Sequence, residues 1–260
     1  MRQVFPSQTL HLPQLNSCKK YGIQQRMDPS SLDMKYIMQV NRNQDKIELR
    51  QEQVFVGNKE INQPLDELVQ KVNRGLYPIV VTYKPHGGLN QIANSAEIKQ
   101  RWRRLIFPML KQYYQGATSD AVLEHINVSV EQLNLRQDDF KRNLFYRFFF
   151  LPIYQTFSSE QETKFLLSIY FSSMKRFVTY QTTCTVSSNY TLDHKIELII
   201  EGKVRGKLGD ALQQEGEIRI QYKLHQDTHE IFSIIAKMTS FEQEIASKIE
   251  FELFELKARQ

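Results

Sequence analysis

The residues that could carry out chemistry are few, and their spacing does not assemble a known site. His225 and His229 form an H-x-x-x-H pair, a spacing that on a helix places both imidazoles on one face for zinc binding. Here the pair flanks a polar reversal containing Asp227, and no third ligand lies nearby in the sequence. The pattern therefore predicts solvated turn histidines and no metal-binding residues.

Nucleophilic and phosphate-binding motifs are also missing from the sequence. Cys18 and Cys184 lie in no metal, redox or active-site spacing, and there is no G-x-S-x-G. Gly87-Gly88 lacks the Lys-Ser/Thr of a P-loop and the G-x-G-x-x-G of a dinucleotide fold. We therefore predict no catalytic residues, no cofactor-binding residues and no cofactor. Two free thiols are expected, with one long-range disulfide as the alternative.

The densest cluster of charge surrounds a tryptophan. Five cations on the predicted helix 95–115 form a candidate basic surface: Lys99, Arg101, Arg103, Arg104 and Lys111. Such a cluster can hold phosphates by charge, which keeps weak nucleic-acid binding open as a function. Trp102 falls on the apolar stripe of the same helix, so we expect it to pack inward rather than to stack on bases.

The composition is that of a folded protein. With 260 residues, 41% hydrophobic and 24% charged, the chain can bury one substantial core or two modest ones. The net charge of +5 permits a nucleic acid or an acidic partner without selecting either. The N-terminus lacks the apolar run of a secretory signal, and no apolar run is long enough to span a membrane. We predict a cytoplasmic protein, although a mature chain trimmed of its signal would have the same sequence.

The elements that must position these residues are mainly strands. Residues 1–30 carry three prolines and many glutamines and are predicted to form a loosely held N-terminal arm. A first β-rich half, residues 31–118, contains two hairpins and the helix 95–115. A helical aromatic middle, residues 119–155, leads to a second β-rich half, residues 156–260, with six alternating segments between short turns. We expect these parts to form one globular unit.

Two helices are expected to cover one face of the sheet. In the first, Ile98, Trp102, Leu105, Met109 and Tyr113 recur at helical spacing, so this stripe is predicted to pack onto the sheet. The second spans residues 138–150 and ends in the most apolar run of the chain. The predicted core residues of the two helical regions are Trp102, Phe140, Leu144, Phe148 and Leu151.

Strands that follow one another without intervening helices predict an antiparallel meander. The expected fold class is α+β, with an antiparallel β-meander sheet or sheets and helices packed on one face. Residues 79–84 line up with residues 218–223 at similar places in two strand–turn–strand segments. This match is the basis for a hypothesis of two similar β-rich halves, with chance similarity of amphipathic hairpins as the alternative.

One segment resembles a known group of proteins. Tyr77–Val81, Gly87–Asn94, Glu97-Ile98 and Trp102 form a strand, a glycine turn and a tryptophan-bearing helix. This pattern is similar to a segment of uncharacterised bacterial proteins. The resemblance covers residues 75–105, implies a sheet-and-helix domain, and carries over no functional residue.

Elimination favours a non-enzymatic function. The main hypothesis is a protein–protein interaction or assembly component that binds a protein partner, or forms a homo-oligomer, through exposed strand edges and the N-terminal arm. An alternative is a carrier for an apolar small molecule in a sheet-lined cavity, since 16 Phe and 12 Tyr could line a cavity as well as fill a solid core. Weak nucleic-acid binding is the third hypothesis.

Overall fold

One antiparallel sheet organises the computed structural model, which describes residues 5, 9–13, 16–29, 32–56, 59–60, 64–133, 137–157, 163–205, 215–242 and 245–257. The strands are β1 (Ser17–Asp28), β2 (Leu32–Asn43), β3 (Lys46–Val56), β4 (Lys59–Glu60), β5 (Ile79–Tyr83), β6 (Leu89–Ile92), β7 (Thr163–Phe171), β8 (Arg176–Val186), β9 (Lys195–Val204), β10 (Glu217–His225), β11 (Ile231–Glu242) and β12 (Ile245–Leu256). The helices are α1 (Pro64–Leu76), α2 (Ser95–Arg101), α3 (Phe107–Tyr113), α4 (Ala117–Glu131), α5 (Gln137–Arg142) and α6 (Leu144–Phe149), and a π turn (Trp102–Ile106) joins α2 to α3. No described helix is both long and apolar enough to cross a lipid bilayer.

The strand order places the first and last strands of the chain at the centre of the sheet. It runs β6-β5-β3-β2-β1-β12-β11-β10-β9-β8-β7, and the short β4 pairs with β3. An antiparallel ladder from Lys20–Leu256 to Asp28–Lys248 joins the two β-rich halves. The predicted antiparallel sheet is confirmed, but strands predominate over short helices, so the fold is mostly β rather than a balanced α+β fold. The hypothesis of a duplication stays a prediction.

Strand β1 lies where the sequence predicts a loose arm. Both of its edges are paired, one with β2 and one with β12, so the prediction for residues 1–30 is wrong over this strand. The lysines and glutamines of the strand obscure its alternation, in which one face is buried. The buried positions are Tyr21, Ile23 and Gln25. Phe5 and Leu10 are buried as well, so these parts of the predicted arm also pack on the protein.

The sheet curls strongly toward its apolar face. If the sheet were flat, five strand spacings, roughly 24 Å, would separate β7 from β12. Instead, the hydroxyl of Ser173 in the turn after β7 lies 2.9 Å from the hydroxyl of Ser247, a buried residue of β12. In the same turn, Ser172 Oγ donates to Met27 Sδ of β1 at 3.5 Å. The β7–β8 end therefore folds over the apolar face and encloses an interior.

Helix α6 and the segment after it fill this interior. The ring of Phe148 lies 5.2 Å from that of Phe251 in β12, and the ring of Phe149 lies 5.7 Å from that of Tyr21 in β1. The hydroxyl of Tyr222 in β10 donates to the Phe148 carbonyl at 2.9 Å. Four of the predicted core residues, Trp102, Leu144, Phe148 and Leu151, are buried, and Phe140 packs partly buried against the same core.

The π turn changes which side of the helix 95–113 is buried. Ile98 and Trp102 face inward as predicted, but Leu105, Met109 and Tyr113 are exposed, and Ile106 and Leu110 pack against the core in their place. The backbone N–H of Phe107 bonds to the carbonyl of Trp102, five residues back, so the turn holds one residue more than an α-helical turn. Pro108 follows directly, and its ring would clash with a carbonyl four residues back in a regular helix. The prediction that the whole stripe packs onto the sheet is therefore wrong beyond the π turn.

Replacing Phe148 by Ala should lower the free energy of unfolding by about 3–5 kcal/mol, because the change empties a fully buried site at the centre of the interior. Urea denaturation followed by the fluorescence of the single tryptophan measures this loss. The matched control is Leu192→Ala, at a side chain that is 82% exposed, with an expected change below about 0.5 kcal/mol. Similar losses for the two variants would contradict the packing of α6 inside the sheet.

Candidate functional site

A group of partly buried charges lies where the first and last strands of the chain meet. We call it the ionic cluster; its members are Ser17, Lys19, Arg42, His225, Glu230 and Glu255. They come from β1, β2, the end of β10, the residue before β11, and β12. The cluster exists only because the sheet brings these strands together, so no local sequence motif indicates it.

Glu230 is the most deeply buried carboxylate of the cluster, with 5% of its surface exposed. Ser17 Oγ donates to its Oε1 at 2.5 Å, and Lys19 Nζ lies 3.1 Å from its Oε2. Arg42 Nε lies 3.8 Å from Oε1. A buried carboxylate is tolerated only when it is paired and hydrogen-bonded, and these three side chains meet that requirement.

Glu255 continues the cluster toward β9. Lys19 Nζ contacts its Oε2 at 2.9 Å, and His225 Nε2 lies 2.5 Å from the same oxygen. Burial alone would raise the pKa of Glu255, but hydrogen bonds from His225 and Lys19 outweigh burial, so the pKa is lowered. Lys195 Nζ lies 3.3 Å from His225 Nδ1 and extends the chain of polar contacts.

The two predicted turn histidines have different partners and are not freely solvated. While His225 joins the ionic cluster, His229 accepts a hydrogen bond from the backbone N–H of His11 at 2.8 Å, and the two imidazole rings stack 5.5 Å apart. Burial and the neighbouring His11 lower the pKa of His229. Among the described residues, no group of three His, Cys, Asp or Glu side chains could hold a metal ion.

The ionic cluster contains acids, bases and a hydroxyl, so it is the first place to look for catalysis. A general base needs a free lone pair aimed at its substrate, and a serine nucleophile needs such a base beside it. Here Ser17 donates to a carboxylate that Lys19 already neutralises, and His225 faces Glu255 and Lys195. These hydrogen bonds and ion pairs hold β1 against β12 and against the β10–β11 turn.

A second polar feature lies inside the curled sheet, on α6. Arg147 is half-buried, and its Nε is fully buried without a hydrogen-bond partner. Within the described part of the chain, no carboxylate forms an ion pair with it. Burial lowers the pKa of its guanidinium, and the nearby group that counteracts this effect is the phenol of Tyr222. Arg147 therefore brings a partly desolvated guanidinium to the interior, without a counter-ion from the described residues.

Three tyrosines, the buried Tyr36 and Tyr146 and the half-buried Tyr77, add further hydroxyl groups. The hydroxyls of Tyr77 and Tyr146 lie 3.2 Å apart, and burial raises the pKa of Tyr77 to about 12. The hydroxyl of Tyr36 is buried and has no hydrogen-bond partner. Arg147 Nε and Tyr36 thus both present a hydrogen-bond donor that none of the described residues satisfies. Sequence reasoning missed both; the signal for Arg147 was a single cation within an aromatic run.

The predicted basic surface is partly used by the fold itself. Arg101 donates to the carbonyls of Gly75 and Leu76 at the end of α1, and Arg103 pairs with Glu131 of α4. Lys111 lies over the ring of Phe107, while Arg104 is exposed and Lys99 is half-buried. Trp102 is fully buried and donates its Nε1–H to Asn127 at 3.0 Å, as expected for a side chain that cannot stack on bases.

The cysteines offer no reactive site inside the protein. Both are free thiols; Cys18 is exposed and Cys184 is buried in β8. Burial raises the pKa of Cys184 to about 12, which removes the thiolate that a nucleophile or a metal ligand requires. Cys184 therefore serves as a small core residue.

Comparison with known proteins gives a structural likeness but no match in sequence. No protein-family model and no curated protein matches the chain. The chain is similar to a solved structure described as lipid–protein interactions in lipovitellin, with 9% sequence identity and a TM-score of 0.48. The match covers 94% of this chain and 26% of that chain, so this chain spans about a quarter of its length. At this identity and TM-score the likeness carries no functional argument.

Replacing Lys19 by Met should lower the free energy of unfolding by about 3–5 kcal/mol, because it leaves Glu230 and Glu255 without their shared cation in a partly buried site. The matched control is Lys20→Met on the same strand, which breaks a half-exposed pair with Glu52 and should cost less than about 1 kcal/mol. Urea denaturation at neutral pH measures both. Equal losses would show that the ionic cluster is no more than a set of surface pairs.

The stability should also fall as the pH drops from about 7.5 to about 5.5. The pKa of His229 is lower in the folded state than in the unfolded chain, so the unfolded chain binds the proton more tightly in this window and acid favours unfolding. His229→Asn, which suits the positive φ of this position, should reduce the pH dependence of the urea midpoint, whereas His125→Asn on the exposed face of α4 should not. An unchanged pH dependence in His229→Asn would contradict this assignment.

Proposed function

We propose that the protein binds an amphipathic anion, a molecule with an apolar body and an acidic group such as a carboxylate. The observation that carries the proposal is Arg147, a half-buried cation at the edge of an apolar interior, whose fully buried Nε and whose charge find no partner among the described residues. A buried charge without a partner destabilises a fold, and replacement by an apolar side chain is usually favourable. A binding role explains why a cation occupies this position.

The chemistry of the interior specifies the ligand class. A guanidinium presents several N–H donors in one plane and can hold a carboxylate through two parallel hydrogen bonds. The surfaces around α6 are aromatic and aliphatic and include Phe148, Tyr222 and Phe251, which suit an apolar body. An acidic group on Arg147 with its apolar part among these residues would satisfy both.

Binding at this site requires α6 to move. In the present state the aromatic side chains of α6 fill the interior, whereas an open cleft beside α1 is lined mainly by polar side chains, among them Gln51, Gln70, Asn73 and Arg74. The helix has only six residues, with Asn143 capping its start through a hydrogen bond from Phe145 N–H. A short helix held mainly by side-chain packing can leave its place in a minor conformation of the protein. A ligand that binds this minor conformation increases its population.

A second candidate function, docking of a protein partner through a strand edge, is favoured by β7. Among the described strands, this nine-residue strand pairs with β8 alone. It contains one lysine and no proline, the two residue types that commonly protect an edge. Near its end Arg142 of α5 stacks over Tyr170, so the open part is its first half. If a second copy binds there, Leu166→Lys should shift the protein from dimer to monomer in light scattering. A monomeric wild-type chain would exclude self-association.

The anion proposal predicts that oleate raises the melting temperature of the full chain and that Arg147→Met removes most of this shift. A ligand at one hundred times its Kd stabilises the folded state by about 2.7 kcal/mol. Without ligand, Arg147→Met should raise the free energy of unfolding by about 1–3 kcal/mol, because it removes a buried Nε–H donor that has no partner among the described residues. Differential scanning calorimetry measures both effects, with Arg205→Met, at an exposed position, as the control.

The neutral analogue oleyl alcohol separates the two parts of the proposal. Stabilisation by oleate but not by the alcohol supports an acidic group on Arg147. Equal stabilisation by both compounds, unchanged in Arg147→Met, would support an apolar ligand but refute the role of Arg147. No stabilisation by either compound would refute the proposed function.

A further inference from the structure

The stripe exposed by the π turn is a surface that the proposed function does not use. Leu105 is 63% exposed, Met109 is 40% exposed and Tyr113 is 65% exposed. The three residues are spaced four apart along one helical line, so they form a continuous apolar strip on the outside of the protein. Single exposed apolar residues are ordinary, but three in line on one helix are characteristic of a contact surface.

Cations lie beside this strip. The segment 95–113 contains five cations and one carboxylate, Glu97, so its net charge is +4. Arg104 and Lys111, seven residues apart, are exposed on a neighbouring face of the same helix. From α1, Lys71 Nζ lies 3.4 Å from the centre of the Tyr113 ring. The surface therefore combines apolar side chains with positive charge.

We propose that this face of α3 docks on the surface of a bilayer that contains anionic lipid. A helix with an apolar strip and flanking Lys and Arg lies in the interface with its apolar side chains among the lipids, while its cations contact the headgroups. Duplex nucleic acid would use the same cations, but it offers no apolar region for Leu105 and Met109, and Trp102 is buried. The charge and the apolar strip together favour lipid.

Co-sedimentation of the full chain with vesicles tests the proposal. Binding to phosphatidylcholine vesicles should be weak and should rise when phosphatidylglycerol is added, then fall with increasing salt. Leu105→Gln with Met109→Gln should abolish most binding without affecting stability, because both side chains are exposed. Arg104→Gln with Lys111→Gln should lower the partition coefficient roughly thirtyfold, on the order of fivefold per cation.

Two matched controls and one competing probe complete the test. Leu192→Gln removes an apolar side chain that is even more exposed, at another place on the surface. Lys46→Gln with Lys84→Gln removes two other exposed cations. Both variants should bind as the wild type does. If the wild-type protein does not co-sediment with phosphatidylglycerol vesicles at low salt, the proposal is wrong. A loss of binding in the controls equal to that in the stripe variants would also overturn the proposal. Binding to duplex DNA without binding to vesicles would reassign the surface to nucleic acid.

Discussion

The pairing of β1 with β12 is the constraint on which the rest of the structure depends. These strands come from opposite ends of the chain, and Lys19 and Glu255 beside their ladder are 236 residues apart in sequence. Strand β1 begins one run of antiparallel strands and β12 ends the other, so the ladder between them joins two smaller sheets into one. This contact closes a very long loop. The entropy cost of closing a loop rises only slowly with its length, but contacts between residues far apart in sequence form slowly during folding. The ionic cluster lies at the end of this ladder, where Lys19 neutralises carboxylates from β12 and from the residue before β11.

A curled sheet of this width needs a cover for its apolar face, and the helical middle of the chain supplies it. Aromatic rings of α6 contact β1 and β12, and the Phe148 carbonyl accepts a hydrogen bond from Tyr222 of β10. The outer face is solvated, and a row of charged side chains crosses it from strand to strand: Arg26, Glu250, Lys237, Arg219 and Glu201. Opposite charges face each other at each step except between Lys237 and Arg219. This division of faces is what an antiparallel sheet with one wet side requires. The inner face of the curled sheet is therefore apolar, and an unpaired cation such as Arg147 is unusual there.

The sequence predicts the strands of this fold better than it predicts their neighbours in space. The bounds of β8 and β12 follow directly from alternation and from turn residues, since strand signals are local. Strand β1 was not predicted because its composition does not favour a strand. Pairing with β2 on one edge and with β12 on the other stabilises it as a central strand of the sheet. The π turn escaped prediction because a heptad-like stripe assumes an unbroken helix, and one inserted residue moves Leu105 and Met109 outward. The ionic cluster and the environment of Arg147 depend on tertiary contacts that no local pattern contains.

Arg147 and the exposed apolar strip of the helix share a physical feature that other parts of the fold lack. In a sequence under selection for stability alone, local preference and tertiary environment agree, so buried positions are apolar or paired and exposed helix positions are polar. Arg147 breaks this rule in one direction, as a cation in an apolar interior, and the strip Leu105, Met109 and Tyr113 breaks it in the other. By contrast, Glu230 is a buried charge that obeys the rule, because Ser17 and Lys19 compensate it. This contrast is why the unpaired groups, and not the more numerous charges of the ionic cluster, are assigned to binding.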